Sequence, residues 1–216
     1  MNERSFENMG TKLVLVDRIM EEAARLFARR GFYATSMRAI AQAAKVSIGA
    51  IYHYFSSKEE VYFAILRREL ERRRAAVEAI RAKSPSAEEA IRHVARVHFE
   101  LLKESGETIR LLSRAWLPDS PALRRKAQAL YQEFAEYVAE LLKEGMAARQ
   151  IRPCHPLITA YALLGMVEAV TARCLAGDEV AREYLERAPE ELAEMAWRAL
   201  RPAPQGGGAC RKEHGP

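Results

Sequence analysis

TSMRAIAQAAKVSIGAIYHYF, residues 35–55, carries two apolar stripes, each only about two helical turns long, separated by a short break. Met37, Ile40, Ala41 and Ala44 recur at three- and four-residue spacing behind Thr35 and Ser36, residue types that cap a helix by accepting from its first free N–H groups. Lys45, Val46 and Ser47 interrupt this pattern, and a second helix over about residues 47–54 resumes it with Ile51 and Phe55 as the inward pair. Ala43, Ala44, Gly49 and Ala50 are small enough to let the two helices approach closely. Two brief helices around a tight turn predict a helix-turn-helix.

If Ile51, Tyr54 and Phe55 hold the second helix to its module, its free face carries Ser47, Ile48, Gly49, Ala50, Tyr52 and His53. A major groove about 12 Å wide admits a helix whose leading side chains are short, as Gly49 and Ala50 are. Tyr52, His53 and Lys58 then supply hydroxyl, imidazole and ammonium groups for phosphate oxygens on the groove walls. The bland reading makes Tyr54 and Phe55 core aromatics. Tyr52 and His53 fit it less well, because burial would strand their polar atoms.

Charge distribution points the same way. The chain has 34 basic and 29 acidic residues over 216 positions, a net charge of +5. Between Ala23 and Lys58 stand Arg25, Arg29, Arg30, Arg38, Lys45 and Lys58 with no Asp or Glu, so the excess is concentrated here. An acid-free basic window is the footprint of a surface facing polyphosphate, although a solvated basic face would look alike.

The rest of the chain is helical in period, with no strand pattern and no internal repeat, giving an all-α fold of about nine helices. Gly31, the SPSA stretch at 84–87, Pro118 with Pro121, residues 152–156, Gly177-Asp178 and Pro189 are the expected stops. Residues 11–57 form the expected DNA-binding module and residues 58–201 a larger helical domain. Residues 202–216, rich in Pro and Gly, form a flexible tail that includes Cys210.

The segment "RIMEEAARLFARRGFYATSMRAIAQAAKVSIGAIYHYFSSKEEVY" resembles the N-terminal domain of TetR-family transcriptional regulators. The likeness rests on AxxLFxxxGF, T-S-x-x-x-I-A-x-x-A, V-S-x-G-x-x-Y and F-x-x-K-E-E in that order. It implies a three-helix DNA-binding module, a connector helix beginning near Lys58, and a larger domain that dimerises and binds an effector. Carried over, the DNA contacts fall on Thr35, Ser36 and Arg38, on Ser47, Ile48 and Ala50 for base edges, and on Tyr52, His53 and Lys58 for phosphates. Lys45 stands where the family commonly has Gly, which implies a left-handed residue with a Cβ, at a cost of about 1 kcal/mol, and a further phosphate contact.

In the larger domain, Ala162, Gly165, Ala169 and Ala172 form one small-residue stripe, and Leu192, Met195, Ala196 and Ala199 repeat at the same spacing near the end. These two helices are the expected homodimer interface, a four-helix bundle between protomers that the resemblance also implies. The same stripes would suit a protomer's own core. A two-fold dimer predicts a pseudo-palindromic operator. His93, His98, Phe99, Arg110, Trp116, Tyr131, Phe134 and Tyr137 are the candidate lining of an effector pocket. Residues 92–134 are also similar to the effector domains of fatty-acid-responsive members, which implies a small hydrophobic effector such as a fatty acyl-CoA.

Other functions find little support. Cys154, Cys174 and Cys210 are odd in number and lack CxxC spacing, which argues against a disulfide framework or a thiolate zinc site. Glu89-x3-His93 occurs once, and His93 and His98 lie about 140° apart around a helix, so they do not converge on one metal. GxSxG, P-loop and GxGxxG motifs are missing, so no catalysis, metal or cofactor is expected. Neither a signal peptide nor an 18-residue apolar run is evident, so the expected compartment is the cytosol, without membrane. A helical adaptor whose basic module meets an acidic protein is the alternative from another class.

Overall fold

The computed structural model describes residues 3–84, 86–104 and 121–203, with side chains of the first helix described from Val14 onward. Eight α-helices occur among these residues, close to the nine or so expected: α1 Glu3–Arg30, α2 Met37–Ala43, α3 Ile48–Tyr54, α4 Lys58–Arg81, α5 Ala87–Glu104, α6 Pro121–Ala147, α7 Pro156–Cys174 and α8 Glu179–Leu200. No strand is present among the described residues.

Each short helix at the amino end begins on a side-chain cap. Ser36 Oγ accepts from the Ala39 N–H at 3.2 Å and Ser47 Oγ from that of Ala50 at 3.1 Å. Ser57 Oγ accepts from the Glu60 N–H at 3.2 Å, while the Glu60 carboxylate accepts from Ser56 N–H and hydroxyl at 2.6 and 2.7 Å. Those two bonds hold the Glu60 pKa below the ordinary carboxylate value. Gly31 ends α1 at φ +83°, a conformation open to residues without a Cβ.

One core joins α1, α2, α3 and the first half of α4. Ile19, Ala23, Phe27, Ile40, Ile51, Phe55, Val61 and Ile65 are buried together. Ala127 and Leu130, far along the sequence on α6, are buried in the same cluster. Two further cores lie among α5–α8, one around Phe99, Leu102 and Leu192, the other around Leu142, Ala160 and Leu200. In this body α5 packs on α8, α7 on both α6 and α8, and α4 on α1, α5 and α6.

One expectation is corrected here. Pro189 does not stop a helix; α8 runs through it, because one missing N–H is outweighed by Ala188, Leu192, Ala193 and Ala196 buried along the same stripe. α7 is, among the described residues, the one helix long and apolar enough to cross a membrane by length and composition, since Glu168 and Arg173 are its only charges. The tail, residues 202–216, lies almost wholly outside the described residues.

Candidate nucleic-acid interface and effector cavity

The α2–turn–α3 unit buries Met37, Ile40, Ala41, Ala44, Ile51 and Phe55, as their spacing requires. Its outer face leaves Ser36, Arg38, Lys45, Ser47, Ile48, Gly49, Tyr52 and His53 exposed, with Ala50 half-buried. Tyr52 keeps 54% of its surface free, large for an aromatic side chain. Tyr54, by contrast, is half-buried, with its ring 4.9 Å from that of His53. Arg29, Arg30, Arg38 and Lys45 form no ion pair among the described residues, so this face presents uncompensated positive charge. Lys45 sits at φ +54°, the left-handed turn position expected of it.

Two predicted contacts do not lie on this face in the same way. Thr35 is only 2% exposed, and its hydroxyl donates to the Gly31 carbonyl at 2.9 Å, sewing the turn after α1 shut. Burial removes it from any groove. Lys58 folds back: its Nζ donates to the Phe32 carbonyl at 2.8 Å and lies 4.3 Å from the centroid of the Phe32 ring. The ammonium that spacing alone directs at phosphate thus ties the start of α4 to the loop after α1.

A cavity of about 760 Å³ lies within the helical body, walled by α4, α5, α6, α7 and α8. On α5 its lining runs from Ala87 to Leu101, about 21 Å of helix, so the space is elongated. Most of the wall is aliphatic or aromatic, with Val94, Leu141, Leu163 and Met166 typical of it. Of the predicted lining, His98, Phe99 and Phe134 face this cavity. His93, five residues before His98 on α5, is instead exposed to solvent. Tyr131 is half-buried against Tyr161, ring centroids 5.7 Å apart, and bonds to Glu168 outside the cavity. Arg110 and Trp116 lie outside the described residues.

Sequence reasoning missed the charged residues on the cavity wall, Arg73, Glu78, Arg81 and Glu144. Arg81 bonds to Glu144 across the α4–α6 gap, and Tyr137, a residue expected in the lining but not on the cavity wall, donates to Glu78 Oε1 at 2.6 Å. Burial, then the Glu78 bond, raises the Tyr137 pKa, so the phenol stays protonated. Thr171, on α7, is 3% exposed and lies 2.9 Å from His98 Nε2. Thr171, which holds His98, was missed as well; a hydroxyl inside the most apolar of the described helices was the available signal.

The predicted interface positions divide. Ala162, Gly165, Ala169 and Ala172 are exposed on one face of α7, extended by Ile158 (66% exposed) and Tyr161, and beside them Met195 and Ala199 are exposed on α8. Leu192 and Ala196 are buried in the protomer's own core and line the cavity wall. They belong to the inner face of α8, about 60° and 100° around the helix from Met195.

A basic helix-turn-helix joined by one helix to a cavity-bearing body is the architecture of a DNA-binding regulator that senses small molecules. Comparison with known proteins gives the family. Residues 19–65 match the family model for bacterial regulatory proteins of the tetR family, and residues 84–172 match the tetracyclin repressor-like C-terminal domain. The chain belongs to the TetR family of transcriptional regulators. The HTH-type transcriptional regulator RutR of Escherichia coli K12 is 30% identical over 196 residues, 85% of this chain and 89% of that protein. PfmR, a TetR family regulator from Thermus thermophilus, is 28% identical with a TM-score of 0.62, over 82% of this chain and 97% of PfmR. The regulator FadR from Bacillus subtilis, solved in complex with stearoyl-CoA, has the same fold: TM-score 0.73 at 19% identity, over 83% of this chain and 96% of FadR.

Proposed function

We propose that the chain is a repressor that binds a pseudo-palindromic operator as a homodimer and leaves it when a small hydrophobic effector, such as a fatty acyl-CoA, fills the cavity. It acts by binding alone, without catalysis, in the cytoplasm. Ser47, Ile48 and Ala50 read base edges, with Gly49 leaving room for the groove wall. Ser36, Arg38, Lys45, Tyr52 and His53 position the backbone. The exposed face of α7, with Met195 and Ala199 of α8, seats the second protomer.

One observation carries this reading: α4 belongs to both halves. Its first half supplies Val61, Ile65 and Leu66 to the core under the helix-turn-helix, and its second half lends Ala76, Val77 and Ile80 to the cavity wall. A ligand that displaces the second half tilts the first, and the spacing of two recognition helices across the dimer changes. Coupling of about 1–3 kcal/mol would lower operator affinity roughly 5- to 150-fold. The fatty acyl-CoA suggestion draws support from the fold shared with FadR and from the length and apolarity of the cavity.

Selection of duplexes from random DNA, followed by anisotropy titration with and without palmitoyl-CoA, tests the proposal. The expected outcome is a two-fold-related motif bound at least about 10³-fold better than random duplex. Loss of affinity on adding effector completes the expected result. No preferred duplex would favour the adaptor alternative, and a preferred duplex indifferent to every apolar ligand would remove the lever.

A further inference from the structure

The charged groups on the cavity wall are already engaged, by one another or by Glu69 and Tyr137. Arg81 is engaged by Glu78 at 3.3 Å and by Glu144, and Glu78 in turn by Tyr137. Arg73 Nε lies 3.4 Å from the Glu69 carboxylate. His98 differs from these. Its ring packs edge-on to Phe99 at 5.0 Å, and its Nε2 meets Thr171 Oγ1 at 2.9 Å.

The partner fixes the ring's proton. Thr171 is buried and makes no other side-chain hydrogen bond among the described residues. A buried hydroxyl donates its hydrogen, and the acceptor in reach is His98 Nε2. Nε2 therefore accepts, and in the neutral ring the remaining hydrogen sits on Nδ1. Burial first, and the charge of Arg73 second, push the His98 pKa down to about 3, so the ring is neutral in the physiological range.

Nδ1 has no hydrogen-bond partner among the described residues. It is not sealed in, either, because the one fully buried, unpartnered side-chain nitrogen or oxygen there is Arg173 Nη1. The open space that His98 borders is the cavity. An N–H donor on a residue that borders a largely apolar chamber thus has no partner among the described residues.

We infer that His98, locked by Thr171, reads the head group of the effector, and that the effector is an apolar chain bearing an acceptor oxygen, a carbonyl or a carboxylate, and not an amine or quaternary ammonium. This rests on the effector reading proposed above. An acceptor oxygen satisfies Nδ1–H and lies in the positive field of Arg73. A cationic head leaves the donor unpaired and meets that same field with the wrong sign. Free acids and esters or thioesters share the oxygen, so the test separates them. His98 touches the ligand; Thr171 is a positioning residue.

The full-length protein is loaded with the neutral fluorophore N-phenyl-1-naphthylamine, which is then displaced at pH 7.4 by laurate, methyl laurate or dodecyltrimethylammonium. The expected result is that at least one acyl compound displaces the probe at about one-tenth of the ammonium's concentration or less, one decade of affinity. A decade shown by methyl laurate alone identifies a neutral carbonyl, and one shown by laurate alone a carboxylate. His98→Phe should shrink the acyl-to-ammonium ratio about fivefold or more, the worth of one hydrogen bond. Thr171→Val should shrink the same ratio by freeing the ring, and His98→Gln, which restores a donor, should recover part of it. Because the ratio is taken within each variant, a general loosening of the fold cancels. An ammonium that binds as tightly as both acyl compounds, or an acyl advantage that survives both His98→Phe and Thr171→Val, overturns the assignment while leaving the effector reading intact. Failure of the wild-type protein to take up the probe at all overturns both.

Discussion

Lys58 offers a test that separates what the motif implies from what the structure shows. Lys58→Met keeps the aliphatic stem and removes the ammonium that donates to the Phe32 carbonyl at 2.8 Å and lies 4.3 Å from the Phe32 ring. A hydrogen bond from a charged donor contributes about 1.5–3 kcal/mol and a partly exposed cation–π contact about 0.5–1 kcal/mol. Methionine recovers some packing, so we expect a net loss of about 2 kcal/mol, or about 4–8 °C in melting temperature for a chain of this size. The assay is a thermal melt by circular dichroism without DNA, paired with operator affinity across a salt series. If Lys58 instead served phosphate alone, the melt would be unchanged and the salt slope would fall by about 0.9. A melting temperature within about 1 °C of wild type would refute the structural role of this lysine.

Further outcomes follow from other positions. A Cβ added at Gly165 meets no atom within 4 Å, so Gly165→Arg should leave the protomer folded yet turn the dimer into a monomer in sedimentation velocity; an unchanged dimer would move the interface elsewhere. Lys45 sits at φ +54°, so Lys45→Gly should gain about 0.5–1 kcal/mol in urea unfolding while Lys45→Val loses stability. His98 resists protonation down to about pH 3 in the folded chain, whereas an unfolded chain takes that proton near its ordinary pKa of about 6.5. Stability therefore falls as pH drops below about 6.5, by about 2 kcal/mol at pH 5 for this group. His98→Phe should flatten that slope when urea midpoints are compared between pH 7.5 and 5.

Much of the amino-terminal architecture was legible because short helices advertise their limits. Gly31, Ser36, Ser47 and the break before Lys58 mark the turns, and Met37, Ile40, Ile51 and Phe55 mark the inner faces. Periodicity reports that a face is apolar but not what covers it. Leu192 and Ala196 therefore looked like partner-facing residues, although they line the protomer's own cavity, and Met195 between them is the exposed one. Side-chain reach is equally silent in sequence: nothing local reveals that Lys58 turns back 26 residues to Phe32, or that Thr35 turns inward. Of the two histidines on α5, five residues set His93 in water and His98 on the cavity wall, and only Thr171, 73 residues away, explains why the second is held.

Ala127 and Leu130 of α6 stand in the core beneath the helix-turn-helix, beside Val61 and Ile65. A recognition module excised at the end of α4 would therefore carry an open wound where those two side chains had been. Engineers grafting this reading head onto another sensor body would need to transplant a matching knob from the recipient's own sixth helix. The chimera would otherwise solve its promoter specificity and lose its footing.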